Sequence, residues 1–137
     1  MGRRDQLPSD ALTGVHVLIV DDDPDARELI RTVLEYCGAL VTAVPSAPSA
    51  LATLTRVTPD VLLADISIPH RDGYWLIEHV RALPAGDGGE LATIAITGQG
   101  VPHGPERALA AGYQGHLRKP IDPWEMCRLI ATLVRGA

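Results

Sequence analysis

Apolar positions along this chain fall into five short runs, and each run is followed by a segment in which apolar residues recur at helical spacing. Val15–Val20 is the first run. It stops at Asp21-Asp22-Asp23, and Pro24 opens a helix with Asp23 as N-cap and Ala26, Leu29, Ile30, Val33, Leu34 and Cys37 on one face. Gly38 ends that helix. Ala39–Val44 is a second strand of edge character, and Pro45-Ser46 starts a helix through about Val57. Val61–Asp65 reads as a strand buried on both faces, because its apolar run is unbroken until the carboxylate. Asp72-Gly73 leads into a helix with Trp75, Leu76, His79, Val80 and Leu83 inward, followed by a Gly-rich loop, Pro84–Gly89, with little to hold it rigid. Leu91–Thr97 and Gln114–Arg118 are the last strands. Helices follow them at about Pro105–Ala111 and from Asp122, where Pro123 and Glu125 complete the start signal and Met126, Leu129, Ile130, Leu133 and Val134 form the buried stripe.

Five strand-then-helix units demand parallel strands joined by right-handed crossovers. The expected fold class is α/β, a single doubly wound five-stranded parallel sheet in the flavodoxin-like order 2-1-3-4-5, flanked by five helices. Residues 15–135 form this domain. Residues 1–14 are polar, lack a sustained period and read as a flexible tail or linker outside the core.

The 137 residues suit one domain of ordinary size. Cys37 and Cys127 make no C-x-x-C pair and read as small buried or half-buried thiols in a reducing compartment. No apolar segment approaches the ~20 residues of a membrane span, and no signal-type apolar core follows Met1, so a cytoplasmic protein is expected. A net charge of −5 without a basic stripe argues against a nucleic-acid surface.

The chemistry gathers at the strand ends: Asp21 and Asp22 after the first, Asp65 after the third, Thr97 after the fourth and Lys119 after the fifth. In the expected order the first and third strands are neighbours at the switch point, so three carboxylates crowd one crevice. Such a cluster needs a cation, and oxygen-only ligands suit Mg²⁺. A carboxylate is a competent nucleophile for phosphorus, and phosphoryl transfer otherwise needs positioning and charge stabilisation. The ion, the Thr97 hydroxyl or nearby backbone N–H groups, and the Lys119 ammonium supply these. Lys119 is also the only lysine in the chain, all other strongly basic side chains being arginine; a compact point charge suits a phosphoryl oxygen where a planar fork does not.

These residues resemble the receiver domain of two-component response regulators. The matching motifs are Val17-Leu18-Ile19-Val20-Asp21-Asp22, Asp65-Ile66-Ser67-Ile68-Pro69 with Asp72-Gly73, Ile94-Ala95-Ile96-Thr97, and Lys119-Pro120. The resemblance implies that Asp65 takes a phosphoryl group from a phosphohistidine on a histidine kinase or histidine phosphotransfer protein, the domain assisting its own phosphorylation and dephosphorylation without being an enzyme in the usual sense. It also implies Mg²⁺ or Mn²⁺ held by Asp22, Asp65 and the Ser67 backbone carbonyl, with Asp21 acting largely through water, and a cis Lys119–Pro120 peptide. The signal would leave through the α4-β5-α5 face to a downstream protein or a linked domain, with a homodimer as one form. Leu12-Thr13-Gly14 looks like the linker entering the receiver of a hybrid histidine kinase, and no output domain is expected after Ala137.

Two departures stand out. His116 occupies the position of the family's usual aromatic switch, and Gly98 stands where Ala or Ser is usual; Ser67 and Gln99 fall where the family tunes the lifetime of its phosphate. The departures motivate a rival reading, a receiver-like interaction module that carries no phosphate. A haloacid-dehalogenase-type phosphatase fits poorly, because Asp65-Ile66-Ser67 lacks the second Asp and the chain has no room for a cap domain.

Overall fold

A computed structural model describes residues 9–68, 71–98 and 104–136. The elements in order are β1 (His16–Val20), α1 (Pro24–Tyr36), β2 (Leu40–Val44), α2 (Ala47–Leu54), β3 (Val61–Asp65), α3 (Gly73–Arg81), β4 (Ala92–Thr97), α4 (Gly104–Ala111), β5 (Gly115–Arg118) and α5 (Pro123–Arg135). The strands form one sheet in the order β2-β1-β3-β4-β5, and every pairing is parallel. The expected fold is the observed one.

Alternate side chains on each strand feed two separate cores. Val17, Ile19, Val61, Leu63, Ile94 and Ile96 pack with Ile30, Leu34, Met126 and Ile130 of α1 and α5. Leu18, Val20, Leu62 and Ala64 pack with Ala47, Leu76, Val80 and Ala108 of α2, α3 and α4. Both faces of the central strands are therefore dry, which is why their sequences show no polar alternation. Burying each such Val, Leu or Ile contributes about 1.5–3 kcal/mol.

Register fixes where the chemistry stands. Val20 lies opposite Ala64, Asp65 opposite Ile96 and Thr97 opposite Arg118. Asp21, Asp65, Thr97 and Lys119 thus share the carboxyl edge of the sheet, with β1 and β3 adjacent at the switch point.

Several local expectations need correction. The segment before β1 is not wholly outside the core: Leu12 is fully buried, its N–H donates to the Cys37 carbonyl at 2.8 Å, and the Arg135 guanidinium donates to the Ala11 and Thr13 carbonyls. Helix α2 ends at Leu54 rather than near Val57, where the Thr55 and Arg56 N–H groups tighten to the i−3 carbonyls of Ala52 and Thr53 and the Thr55 hydroxyl bonds back to Ala52 O at 2.7 Å. On α3 the buried residues are Gly73, Leu76, Ile77 and Val80. His79 is exposed and stacks on Trp75 with ring centroids 4.0 Å apart. The 84–89 segment is held after all: Ala85–Asp87 is a short 3₁₀ turn, Gly89 N–H donates to Pro84 O, and Arg81 Nη1 donates to Gly89 O at 3.0 Å.

Candidate functional site

Asp21 follows the last residue of β1 and is 1% exposed. Its Oδ1 accepts from the Asp23 N–H at 2.9 Å, and Arg27 Nη1 donates to its carbonyl at 2.8 Å. Its Oδ2 is buried and has no hydrogen-bond partner among the described residues. Burial raises the Asp21 pKa above the ordinary carboxylate value, the Asp23 N–H opposes this, and the Asp65 charge adds to the rise. Asp22 is exposed. Asp23 turns away from the group to cap α1, accepting from Asp25 N–H at 3.0 Å. The carboxylates of Asp21, Asp22 and Asp65 each bring an oxygen within 4.8 Å of the others.

Asp65 closes β3 and is 3% exposed. Both of its oxygens are held. Oδ1 accepts from the Ser67 N–H at 3.0 Å and from the Ser67 hydroxyl at 2.9 Å, and Oδ2 accepts from Lys119 Nζ at 2.8 Å. Lys119 is fixed from its own backbone, since its N–H donates to Thr97 O at 2.8 Å; the peptide that follows, Lys119–Pro120, is cis. Burial works against the Lys119 charge but is outweighed by the hydrogen bond and charge of Asp65, and the ammonium pKa is raised. The charges of Asp21 and Asp23 add to that rise.

Thr97 ends β4 and is 1% exposed. Its hydroxyl lies 2.7 Å from Nε2 of His116 on β5, so it reaches sideways to the neighbouring strand. A cleft of about 280 Å³ opens beside these strand ends, lined by Ser67, Asp72, Tyr74, Thr97, Gly98 and Arg107. The structure therefore joins Asp21, Asp22, Asp65, Ser67 and Lys119 into one polar cluster, with Thr97 and His116 as a second pair on the adjoining strands. Pro69, His70, Gln99 and His103 lie outside the described residues.

Some of what holds the site gave no sequence signal as a site element. The Ser67 hydroxyl anchors Asp65, whereas the sequence pointed to its carbonyl. The buried Tyr113 hydroxyl donates to Gly73 O at 2.7 Å and pins the start of α3, where a side chain at Gly73 would collide with Ile66. Arg107 of α4 lies over the Tyr74 ring at 4.0 Å and forms one wall of the cleft. A lone arginine on an exposed helix face looks like a solubilising charge, and the facing ring is 33 residues away in sequence.

A buried carboxylate oxygen without a donor, in a group of hard oxygen ligands carrying excess negative charge, is a fit for a divalent cation. Fold and site together define a receiver-type α/β domain, with its acidic group at the switch point of a 2-1-3-4-5 sheet. The family model for the response regulator receiver domain matches residues 17–131, and the chain belongs to that family of two-component signalling domains. It is 43% identical over 119 residues to an uncharacterised 14.6 kDa protein in the sodA1 3′ region of Leptolyngbya boryana, covering 87% of this chain and 89% of that one. It is 29% identical over 119 residues to the response regulator SaeR of Staphylococcus aureus; the match takes in 87% of this chain and 50% of SaeR, so the chain spans about half the length of that relative. The receiver domain of the Pseudomonas aeruginosa sensor histidine kinase PA1611, solved with a magnesium ion coordinated in its active-site cleft, superposes with a TM-score of 0.80 at 29% identity, covering 91% of this chain and all of that one.

Proposed function

We propose that this receiver accepts a phosphoryl group on Asp65 from a phosphohistidine of a histidine kinase or histidine phosphotransfer protein. The observation that carries the reading is the Lys119 ammonium 2.8 Å from a buried Asp65 carboxylate that also faces Asp21 and Asp22. An Asp65 oxygen forms the bond to phosphorus as the phosphorus–nitrogen bond breaks, and the electron pair stays on the imidazole of the donor. Lys119 is placed to follow the incoming charge from the carboxylate to a phosphoryl oxygen. Thr97, at the next strand end, would donate its hydroxyl proton to a phosphoryl oxygen. Asp21, Asp22, Asp65 and the Ser67 carbonyl would hold Mg²⁺ or Mn²⁺. The cation supplies charge neutralisation for a phosphoryl group entering an acidic pocket.

A downstream protein or a linked domain would read the change on the α4-β5-α5 face, and the described helices include none long and apolar enough to cross a membrane. Mg²⁺ with beryllofluoride, which imitates an aspartyl-phosphate, tests the reading. It should raise the melting temperature of the native chain and leave Asp65→Asn unmoved. A native chain that ignores the pair would favour the rival interaction module, whose motive is His116 at the usual aromatic position.

A further inference from the structure

Thr97 differs from Ser67 and Lys119, whose side chains bond to Asp65, because its described hydrogen bond runs to His116. The hydroxyl carries one proton and lies 2.7 Å from Nε2 of the ring, in a side chain that is 1% exposed. Two arrangements fit that distance. With Nε2 bare, Thr97 donates to the ring and its only proton is committed there. With Nε2 protonated, in the neutral Nε2–H tautomer or in the imidazolium, the ring donates to a hydroxyl lone pair and the Thr97 proton is free to point elsewhere.

Phosphoryl acceptance on Asp65 asks Thr97 to donate to a phosphoryl oxygen. We infer that His116 is a positioning residue for that acceptance: it fixes the Thr97 hydroxyl through Nε2, and phosphorylation of Asp65 draws a proton onto the ring. The inference rests on the Asp65 reading above and adds its regulation by pH. Phe or Tyr at this position has no proton to exchange near neutral pH.

The surroundings set the direction. In the unphosphorylated chain burial and Arg118 on β5 disfavour the imidazolium, against Glu106 from α4 and Glu125 from α5, and the net effect lowers the ring pKa. Ala95, which faces His116 from β4, adds no charge. Phosphorylation turns the Asp65 carboxylate into a group with about one more negative charge, at the end of β3 and beside β4, which carries Thr97, and this favours the protonated ring. Linkage makes the effect reciprocal, so a protonated His116 tightens acceptance at Asp65. A tenfold gain in affinity on protonation is the same quantity as a rise of about one pH unit in the His116 titration midpoint. The signalling state would be favoured as the pH falls through the His116 midpoint, which burial and Arg118 hold below histidine's ordinary 6.5 in the unphosphorylated chain.

The test uses the full chain with ¹⁵N-labelled imidazoles, titrated with Mg²⁺ alone and with Mg²⁺ plus beryllofluoride, His116 being assigned by its loss in His116→Phe. The expected result is that beryllofluoride protonates Nε2 and raises the His116 midpoint. Beryllofluoride should bind more tightly as the pH falls, and this slope should flatten in His116→Phe and in His116→Gln, the second keeping a polar partner for Thr97. An unchanged tautomer and midpoint on binding, or the same slope in both variants, would overturn the inference and leave the Asp65 reading intact. A native chain that binds no beryllofluoride at any pH overturns both.

Discussion

The Lys119 ammonium donates to Asp65 across a 2.8 Å contact in which the carboxylate is almost fully buried and the lysine is 39% exposed. The pair joins the ends of β3 and β5, two strands that are not neighbours in the sheet.

Lys119→Ala should leave Asp65 buried with its Oδ2 short of a donor. A loss of about 1–3 kcal/mol is expected in urea unfolding. Removing one aligned donor from a centre of developing charge costs roughly 10²–10³ in rate, so phosphoryl uptake should fall by about that factor. Lys119→Arg should recover more of the stability than of the rate, because a planar fork cannot track the same oxygen.

Asp21→Asn should stabilise the metal-free chain at neutral pH. The Asp21 pKa is raised by burial, so its contribution to stability is full below its ordinary value and is lost as the pH rises through the folded value. The gain over the native chain should therefore be present at pH 7 and vanish as the pH falls below about 4. Melting temperatures across that range, with and without Mg²⁺, provide the check; Mg²⁺ should stabilise the native chain more than the variant.

Arg81→Ala should be among the more damaging changes outside the acidic group. The guanidinium donates to Gly112 O, Gly89 O, Leu91 O and the Thr93 hydroxyl. Its removal takes that donor from the Gly89 and Leu91 carbonyls and leaves Gly112 O and the Thr93 hydroxyl with only longer partners, and a loss of about 2–4 kcal/mol follows. The urea midpoint should fall with an unchanged slope.

Cys37 and Cys127 are free and buried, with their sulfurs 3.3 Å apart. Burial, then the hydrogen bond to Cys37, pushes the Cys127 thiol up to about 12. At pH 8 its reaction with a maleimide should be roughly a thousandfold slower in the native chain than in urea. Mass spectrometry of quenched samples measures both rates.

The sheet was legible because strands dry on both faces leave unbroken apolar runs, and Asp21, Asp65 and Lys119 were legible because each breaks off such a run. Arg81 was not. At the end of α3 it looks like a charge placed to suit the helix dipole, and its acceptors lie 8 to 31 residues away. Leu12 was missed because one leucine among polar residues sets no period, and its partner Cys37 comes from the far end of α1. On α3, Tyr74-Trp75-Leu76-Ile77 is apolar all round, so the pattern could not fix the helix phase; the structure buries Ile77 and turns His79 outward. The His116–Thr97 bond depends on the β4–β5 register, which no local pattern announces.

The most direct test of Asp65 as phosphoacceptor is intact mass after incubation with Mg²⁺ and acetyl phosphate, for the native chain and for Asp65→Asn. The native chain should gain one phosphoryl group, about 80 Da, that is released by hydroxylamine as an acyl phosphate is, and the variant should gain none. A gain of the same size in Asp65→Asn, or a native adduct that resists hydroxylamine, would contradict the assignment.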